Sequence, residues 1–175
     1  MRLNIFAPDR SEPRIITLDA PVMMAGVSAR TGIDTIFRDV PALGKKYQTI
    51  KQSIPDRKVP WAFVAISKNF SSDTRQWDYL MGDVVTSFDS VPADLEMFSI
   101  PSGTYAVFTV RPAFTFLFGI LIGRTKQFTF TEWLPGSPYE ADTAVLGDFE
   151  YHDERSTGRH PSIEVYVPVR KKEKT

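Results

Sequence analysis

Two glutamates offer the most definite chemistry in the chain. Glu150 lies in Asp148-Phe149-Glu150-Tyr151, and Glu164 lies in Ile163-Glu164-Val165-Tyr166-Val167. Both stretches alternate as half-buried strands do. Ile163, Val165 and Val167 should point to one face, with Glu164 and Tyr166 on the other. Phe149 and Tyr151 should share a face opposite Glu150 and His152. If the two strands pair as a hairpin, both carboxylates can fall on one side. Two carboxylates among aromatic rings compete for a proton, and burial raises the pKa of at least one. Such a pair attracts a cation, or supplies a general acid and base. The competing reading is a pair of solvated glutamates on an outer sheet face.

Aromatic residues could complete a ligand site, since small-molecule pockets are mostly apolar with few polar anchors. Trp61, Phe63, Tyr79, Tyr105, Phe128, Trp133 and Tyr166 are the candidates, and core packing is the alternative for each. The segment Glu132–Glu154 holds seven acidic residues and no Lys or Arg, which favours a cationic ligand. His160 reads as solvent-facing. His152 could face a cleft, but nothing in the sequence pairs it with a nucleophile.

Composition excludes much else. The 175 residues contain no cysteine and two histidines, which removes thiolate chemistry, disulfides and histidine-rich metal sites. No metal or cofactor is expected. Lys+Arg and Asp+Glu both number 21, so the net charge is zero. Nucleic-acid binding rests on neutralising phosphates, so direct binding to nucleic acid is not expected. There is no phosphate-binding glycine loop, no nucleophile elbow and no paired-histidine motif. The opening Met1-Arg2-Leu3-Asn4 carries no apolar leader, and the longest apolar run, near Phe116–Ile122, falls short of the ~20 residues that span a bilayer. The expected location is the cytoplasm, away from membranes.

The elements that must position these residues follow from periodicity. A strand region is expected over 14–30, interrupted at Pro21, with Gly26 marking a bulge or a close backbone approach. Ile33, Ile36, Phe37, Val40, Leu43, Tyr47, Ile50 and Ile54 mark one helical face, with a break after Asp39 at Pro41. Strands follow at 61–66 and 77–85 around a loop at 71–75. The pattern then repeats. A strand at 104–110 leads to a helix from Phe114 to Glu132, closed by Pro135-Gly136. Phe128-Thr129-Phe130-Thr131 contests that helix with strand alternation. Strands at 144–152 and 163–169 complete the repeat, and the charged tail from Arg170 should fray. The expected fold is α+β: one domain over 1–175, with tandem strand–helix–strand–strand units at about 14–90 and 95–169. They form an antiparallel sheet with helices on one face and a central ligand cleft.

Four segments in order carry a resemblance: Ile100-Pro101-Ser102-Gly103-Thr104-Tyr105-Ala106-Val107-Phe108, Glu132-Trp133-Leu134-Pro135-Gly136-Ser137-Pro138-Tyr139-Glu140, Asp148-Phe149-Glu150-Tyr151, and Ile163–Val169. The chain resembles the gyrase-inhibitor-like (GyrI-like) small-molecule-binding family, whose domain is also the effector-binding half of AraC-type and MerR-type regulators. The resemblance implies a cleft that takes bulky hydrophobic, cationic or planar compounds, faced by Glu150 and Glu164, with Trp133 at the tryptophan of the Trp-Leu-Pro motif. One departure is Thr109-Val110-Arg111-Pro112, where family members often carry a His-x-Gly-like step. The leading expectation is a ligand-binding domain for sensing, sequestration or detoxification. The alternative is a metal-independent hydrolase of reactive electrophiles, with Glu150 or Glu164 activating water. A third reading is binding to a protein partner such as gyrase. The two glutamates are expected to serve the ligand rather than the fold.

The charge balance gives a first prediction. At micromolar concentrations the protein alone should not shift duplex DNA in a gel, at low or moderate salt. A salt-dependent shift would contradict it.

Overall fold

The computed structural model describes residues 7–58 and 63–173. Nine strands and two main helices build it. β1 is Arg14–Leu18, β2 Val22–Gly32, β3 Phe63–Ser71, β4 Gln76–Val84, β5 Glu96–Ile100, β6 Gly103–Val110, β7 Tyr139–Ala141, β8 Asp148–His152 and β9 Ile163–Lys171. α1 is Ile36–Ile50 and α2 is Phe118–Phe128. The strands pair antiparallel in the order β1-β6-β9-β8-β3-β4-β2-β5, with β7 adding to β9. This is the expected α+β architecture.

The repeat is visible in the sheet. β2-α1-β3-β4 and β6-α2-β8-β9 have the same element order, and they meet where β3 pairs with β8. The order β6-β9-β8 on one side mirrors β2-β4-β3 on the other. Both helices lie on one sheet face. α1 packs on β2 and β4, burying Leu43 and Tyr47 against Ala25, Val27 and Met81. α2 packs on β6, burying Leu117 and Leu121 beside Phe108, Val165 and Val167.

The opposite face forms its own core by curling. β6 and β5 are six strand spacings apart along the sheet. A flat sheet would separate them by about 29 Å at ~4.8 Å per spacing. The three peptide links from Ile100 to Gly103 reach at most about 11 Å, so the sheet must bend round. Gly103 makes the turn with φ 146°, a conformation open to glycine. Inside the curl, Met24, Val64, Ile66, Leu80, Ile100, Tyr105, Val107 and Phe149 bury against one another. Gly26 and Gly82 sit opposite each other on β2 and β4. A Cβ at either would overlap the backbone of the neighbouring strand. The expected close approach at Gly26 is therefore present.

Several local expectations change. Residues 14–30 form two strands that pair with different partners, β1 with β6 and β2 with β4 and β5. Pro41 does not break α1. It sits in the second turn, and the carbonyl it leaves without a donor is that of the exposed Phe37. The alternating Phe128-Thr129-Phe130-Thr131 is helical: a π-turn over Thr129–Trp133 extends α2, and a last turn over Leu134–Gly136 follows. The Thr129 and Thr131 hydroxyls donate to the carbonyls of Thr125 and Gln127, four residues back. Arg170 and Lys171 belong to β9, because β7 pairs there. Among the described residues no helix is long and apolar enough to cross a membrane.

The glycine pair can be tested against an open glycine. Gly82→Ala should destabilise by at least ~1–3 kcal/mol through overpacking against backbone. Gly44→Ala, in α1 with nothing within 4 Å of its new methyl, should stabilise by ~0.5–1 kcal/mol. Urea midpoints with equal slopes check both.

Candidate functional site

The β3–β8 ladder is the strip between the two helices. Its register pairs Phe63 with His152, Val64 with Tyr151, Ala65 with Glu150, Ile66 with Phe149 and Ser67 with Asp148. Glu150 and Ala65 are the middle pair. On the helix-bearing face the floor is therefore Asp148, Glu150 and His152 beside Ser67, Ala65 and Phe63. Ala65 adds almost nothing above the sheet, which leaves the space over it to the Glu150 carboxylate and the groups that reach it.

Those groups form one network. Lys126 on α2 places Nζ 2.8 Å from Glu150 Oε1 and 2.7 Å from Asp148 Oδ1. Tyr79 on β4 donates its hydroxyl to Glu150 Oε2 at 3.1 Å, and His152 Nε2 lies 3.2 Å from the same oxygen. Burial alone would raise the pKa of Glu150. Lys126 and the His152 hydrogen bond outweigh it and hold the carboxyl below its ordinary 4.5. Asp148 goes the other way. Burial raises it, and the neighbouring Glu150 adds to the rise against the pull of Lys126. Burial, with the charge of Glu150 beside it, pushes the Tyr79 hydroxyl well above its usual value, so it stays a donor.

Aromatic rings surround this network. Phe63 stacks on the His152 imidazole, with centroids 4.2 Å apart. Phe118 approaches the same imidazole from α2, and Tyr47 approaches Phe63 from α1. The two helix N-termini converge nearby, where a methyl on Gly119 would lie 4.0 Å from Phe37 Cε1. Phe37 is 76% exposed, and Phe116, stacked on Phe114 just before α2, is 77% exposed. The seam thus has a charged floor and aromatic rims.

The residues singled out in the sequence divide three ways. Glu150, Tyr79 and Phe63 meet in the seam. Trp133 and Phe128 pack around Phe108 under the far end of α2, and the Trp133 indole donates to Glu12. Glu164, Tyr166 and Tyr105 lie on the opposite face. Trp61 falls outside the described residues.

The shared side expected for Glu150 and Glu164 does not occur, and register is the reason. β8 pairs with β9 so that Glu150 faces Val165 and Tyr151 faces Glu164. Directly opposed residues share a face, so the two carboxylates are on different sides. Glu164 instead accepts from Arg14 at 2.6 Å and from the Tyr166 hydroxyl at 2.7 Å, with Arg155 at 3.5 Å. Tyr166 stacks on Phe149, and Tyr105 packs edge-on against both. A cavity of about 70 Å³ lies on the Tyr105 side, between the β5–β6 turn and residues 142–146. It is far below the ~300–1,000 Å³ of drug-sized sites. The acidic segment is also largely balanced by cations from elsewhere. Glu132 pairs with Arg10, Glu140 with Arg170, and Asp153 with Arg155.

Lys126 was not legible as a site residue. It stands alone as a cation in the last turn of α2, and its partners are more than 20 residues away.

Three comparisons bear on the whole chain. The sequence profile of the family described as Cass2, integron-associated effector binding protein, matches residues 15–169. Among curated protein sequences none matches. Three solved structures have the same fold at low identity. An integron cassette protein from the mobile metagenome of Vibrio cholerae superposes with a TM-score of 0.63 at 15% identity, covering 91% of this chain and 97% of its own. The SAV2435 protein, solved bound to tetraphenylphosphonium, gives 0.69 at 13%, covering 91% and 94%. A putative transcription regulation protein from Staphylococcus aureus MU50 gives 0.61 at 13%, covering 91% and 98%.

Glu150 makes stability depend on pH with a definite sign. The pKa of Glu150 is depressed on folding, so its contribution is present above about pH 4.5 and is lost as pH falls below that. Glu150→Gln should flatten this acid limb relative to wild type, seen in urea midpoints from pH 7 to pH 3. It should also lower stability at pH 7, because a buried paired group is removed. Burial and its partners tie Glu150 to the fold as well as to the ligand role expected from the sequence.

Proposed function

The chain belongs to the Cass2 integron-associated effector-binding family, and from that we propose that the seam between α1 and α2 binds a bulky hydrophobic cation or planar compound. The observation that carries the reading is the placement of Glu150. It lies at the centre of the sheet, on the β3–β8 strip of the helix-bearing face between the strands that α1 and α2 pack on, with aromatic rings from both helices nearby. A charge held ionised in an apolar surround attracts an opposite charge more strongly than one in water does. The exposed Phe37 and Phe116 then offer faces on which a planar or multiply aromatic ligand can stack.

The ligand enters by parting side chains rather than by filling a preformed hole. Phe37, Phe116 and Phe118 rim the approach, and His152 with Lys126 cover the carboxylates. Tetraphenylphosphonium, present in the SAV2435 structure, has the size and charge this reading calls for. Sensing, sequestration and detoxification all fit such a site.

Binding is favoured over hydrolysis by a specific arrangement. Lys126 occupies Glu150 Oε1, and Tyr79 and His152 occupy Oε2. A carboxylate so engaged, and with its pKa lowered, is a weak base toward water.

The test is titration with tetraphenylphosphonium by calorimetry. Glu150→Gln should weaken binding by ~1.5–3 kcal/mol, the worth of a charge-assisted interaction. Glu164→Gln, on the far face, should leave the affinity unchanged. Equal affinities for wild type and Glu150→Gln, or a loss only in Glu164→Gln, would overturn this placement.

A further inference from the structure

The seam network carries an unequal charge count. Two carboxylates, Asp148 and Glu150, surround one ammonium, Lys126, which lies within 2.8 Å of both. Both carboxylate side chains are less than a tenth exposed. Other partners are the Ser67 side chain at Asp148, the neutral Tyr79 hydroxyl at Glu150, and His152, whose ring lies 3.2 Å from Glu150. Taken by themselves, the two carboxylates and Lys126 have one negative charge more than positive.

A second buried acid shows the opposite count. Asp83 on β4 is fully buried, accepts from the Tyr47 hydroxyl at 2.8 Å and has Lys51 at 3.4 Å. There one acid meets Lys51, and the Arg57 guanidinium adds to the pull, so cations are not outnumbered beneath α1. The Asp148–Glu150–Lys126 group has the extra acid, and it lies in the seam. An uncompensated charge in an apolar site is costly, and either a proton or a cation relieves it. Burial and the charge of Glu150 push the pKa of Asp148 up against the pull of Lys126.

We propose that Lys126 is the built-in counter-cation of the seam and sets its selectivity. It neutralises one of the two carboxylates and leaves room for a single positive charge, so that monocations are accepted and anions are rejected. This rests on the ligand site proposed above and assigns a specificity-determining role to a residue outside the aromatic set. Lys126 touches the carboxylates rather than the cation. Its side chain is one-fifth exposed and lies along the wall of the seam.

Two consequences separate this role from ordinary ion-pair packing. Removing the ammonium leaves two negative charges, so a cationic ligand should bind more tightly and restore much of the lost stability. Removing Asp148 leaves Lys126 and Glu150 balanced, so a cation should bind less tightly although Glu150 is untouched. A merely structural lysine would change binding of cations and anions alike.

The experiment pairs tetraphenylphosphonium with tetraphenylborate, ions of like shape and opposite charge. Dissociation constants and melting temperatures are measured for wild type, Lys126→Met, Lys126→Arg and Asp148→Asn. In Lys126→Met the preference for phosphonium over borate should rise by about tenfold or more, the effect of one unit charge at close range in a partly wet site. Its melting temperature should fall, and phosphonium should raise it by more degrees than in wild type. Lys126→Arg should keep the wild-type preference, and Asp148→Asn should shift it toward borate. If Lys126→Met does not fold without ligand, Asp148→Asn and Lys126→Arg still decide the matter. Phosphonium binding by wild type, with the preference unmoved in the folded variants, overturns the role of Lys126 and leaves the site standing. Binding of neither ion by wild type or any variant overturns both.

Discussion

Everything at the site depends on the register in which β3 meets β8. This ladder is the join between the two strand–helix–strand–strand units, and it is the strip between the helices. Its middle pair sets Glu150 against Ala65. Side chains alternate with period two, so a slip of one residue would send Glu150 into the curled core and lift Phe149 into the seam. The buried apolar faces forbid that slip. Phe149 is held by Tyr105 and Tyr166, and Ile66 and Val64 are held in the same core. A hydrophobic cluster on one face thereby fixes a charged cluster on the other.

The curl supplies the second half of that constraint. Because β5 and β6 are joined by so short a link, the non-helical face closes on itself and needs no covering layer. Glycines at 26 and 82 permit the close strand approach. Glu164 closes part of this face. Its carboxylate joins Arg14 on the edge strand β1, Arg155 in the β8–β9 connection and the Tyr166 hydroxyl of its own strand. Arg14 is more than half exposed, so the Coulomb gain of that pair is modest. Its role is to anchor the edge strand and loop to β9. The two glutamates that look alike in sequence therefore do different work.

Much of the fold was legible from local pattern. The repeat of strand, helix, strand, strand was readable because each element buries one face, and burial writes a period of 2 or 3.6 into the sequence. Alternation correctly put Glu150 with His152, and Glu164 with Tyr166. It could not say which residue of β8 opposes which of β9, since register depends on turns and on packing across the sheet. That missing offset of one residue separated the carboxylates. The π-turn at Thr129–Trp133 was hidden for a related reason. Phe-Thr-Phe-Thr fits a strand, and only the threonine hydroxyls bonding back to carbonyls show how a helix takes it. Lys126 and Asp148 were not legible as partners, because their pairing is long-range and a lone lysine on an amphipathic helix usually points to water.

Energetics argues that the Lys126 cluster is more than a staple. Burying ions costs several kcal/mol each before their attraction is counted, and well-packed apolar replacements are often neutral or better. Asp83, with Lys51, Arg57 and the Tyr47 hydroxyl around it, shows that this chain can bury an acid without a surplus of negative charge within a helix-covered core. At Glu150 the balance is broken, and it is broken in the seam, where aromatic side chains from both helices converge. His152 touches the oxygen of Glu150 remote from Lys126 and stacks on Phe63. An apolar seam with two acids and one ammonium is where an added cation would gain most, which is the physical basis of the proposed role of Lys126.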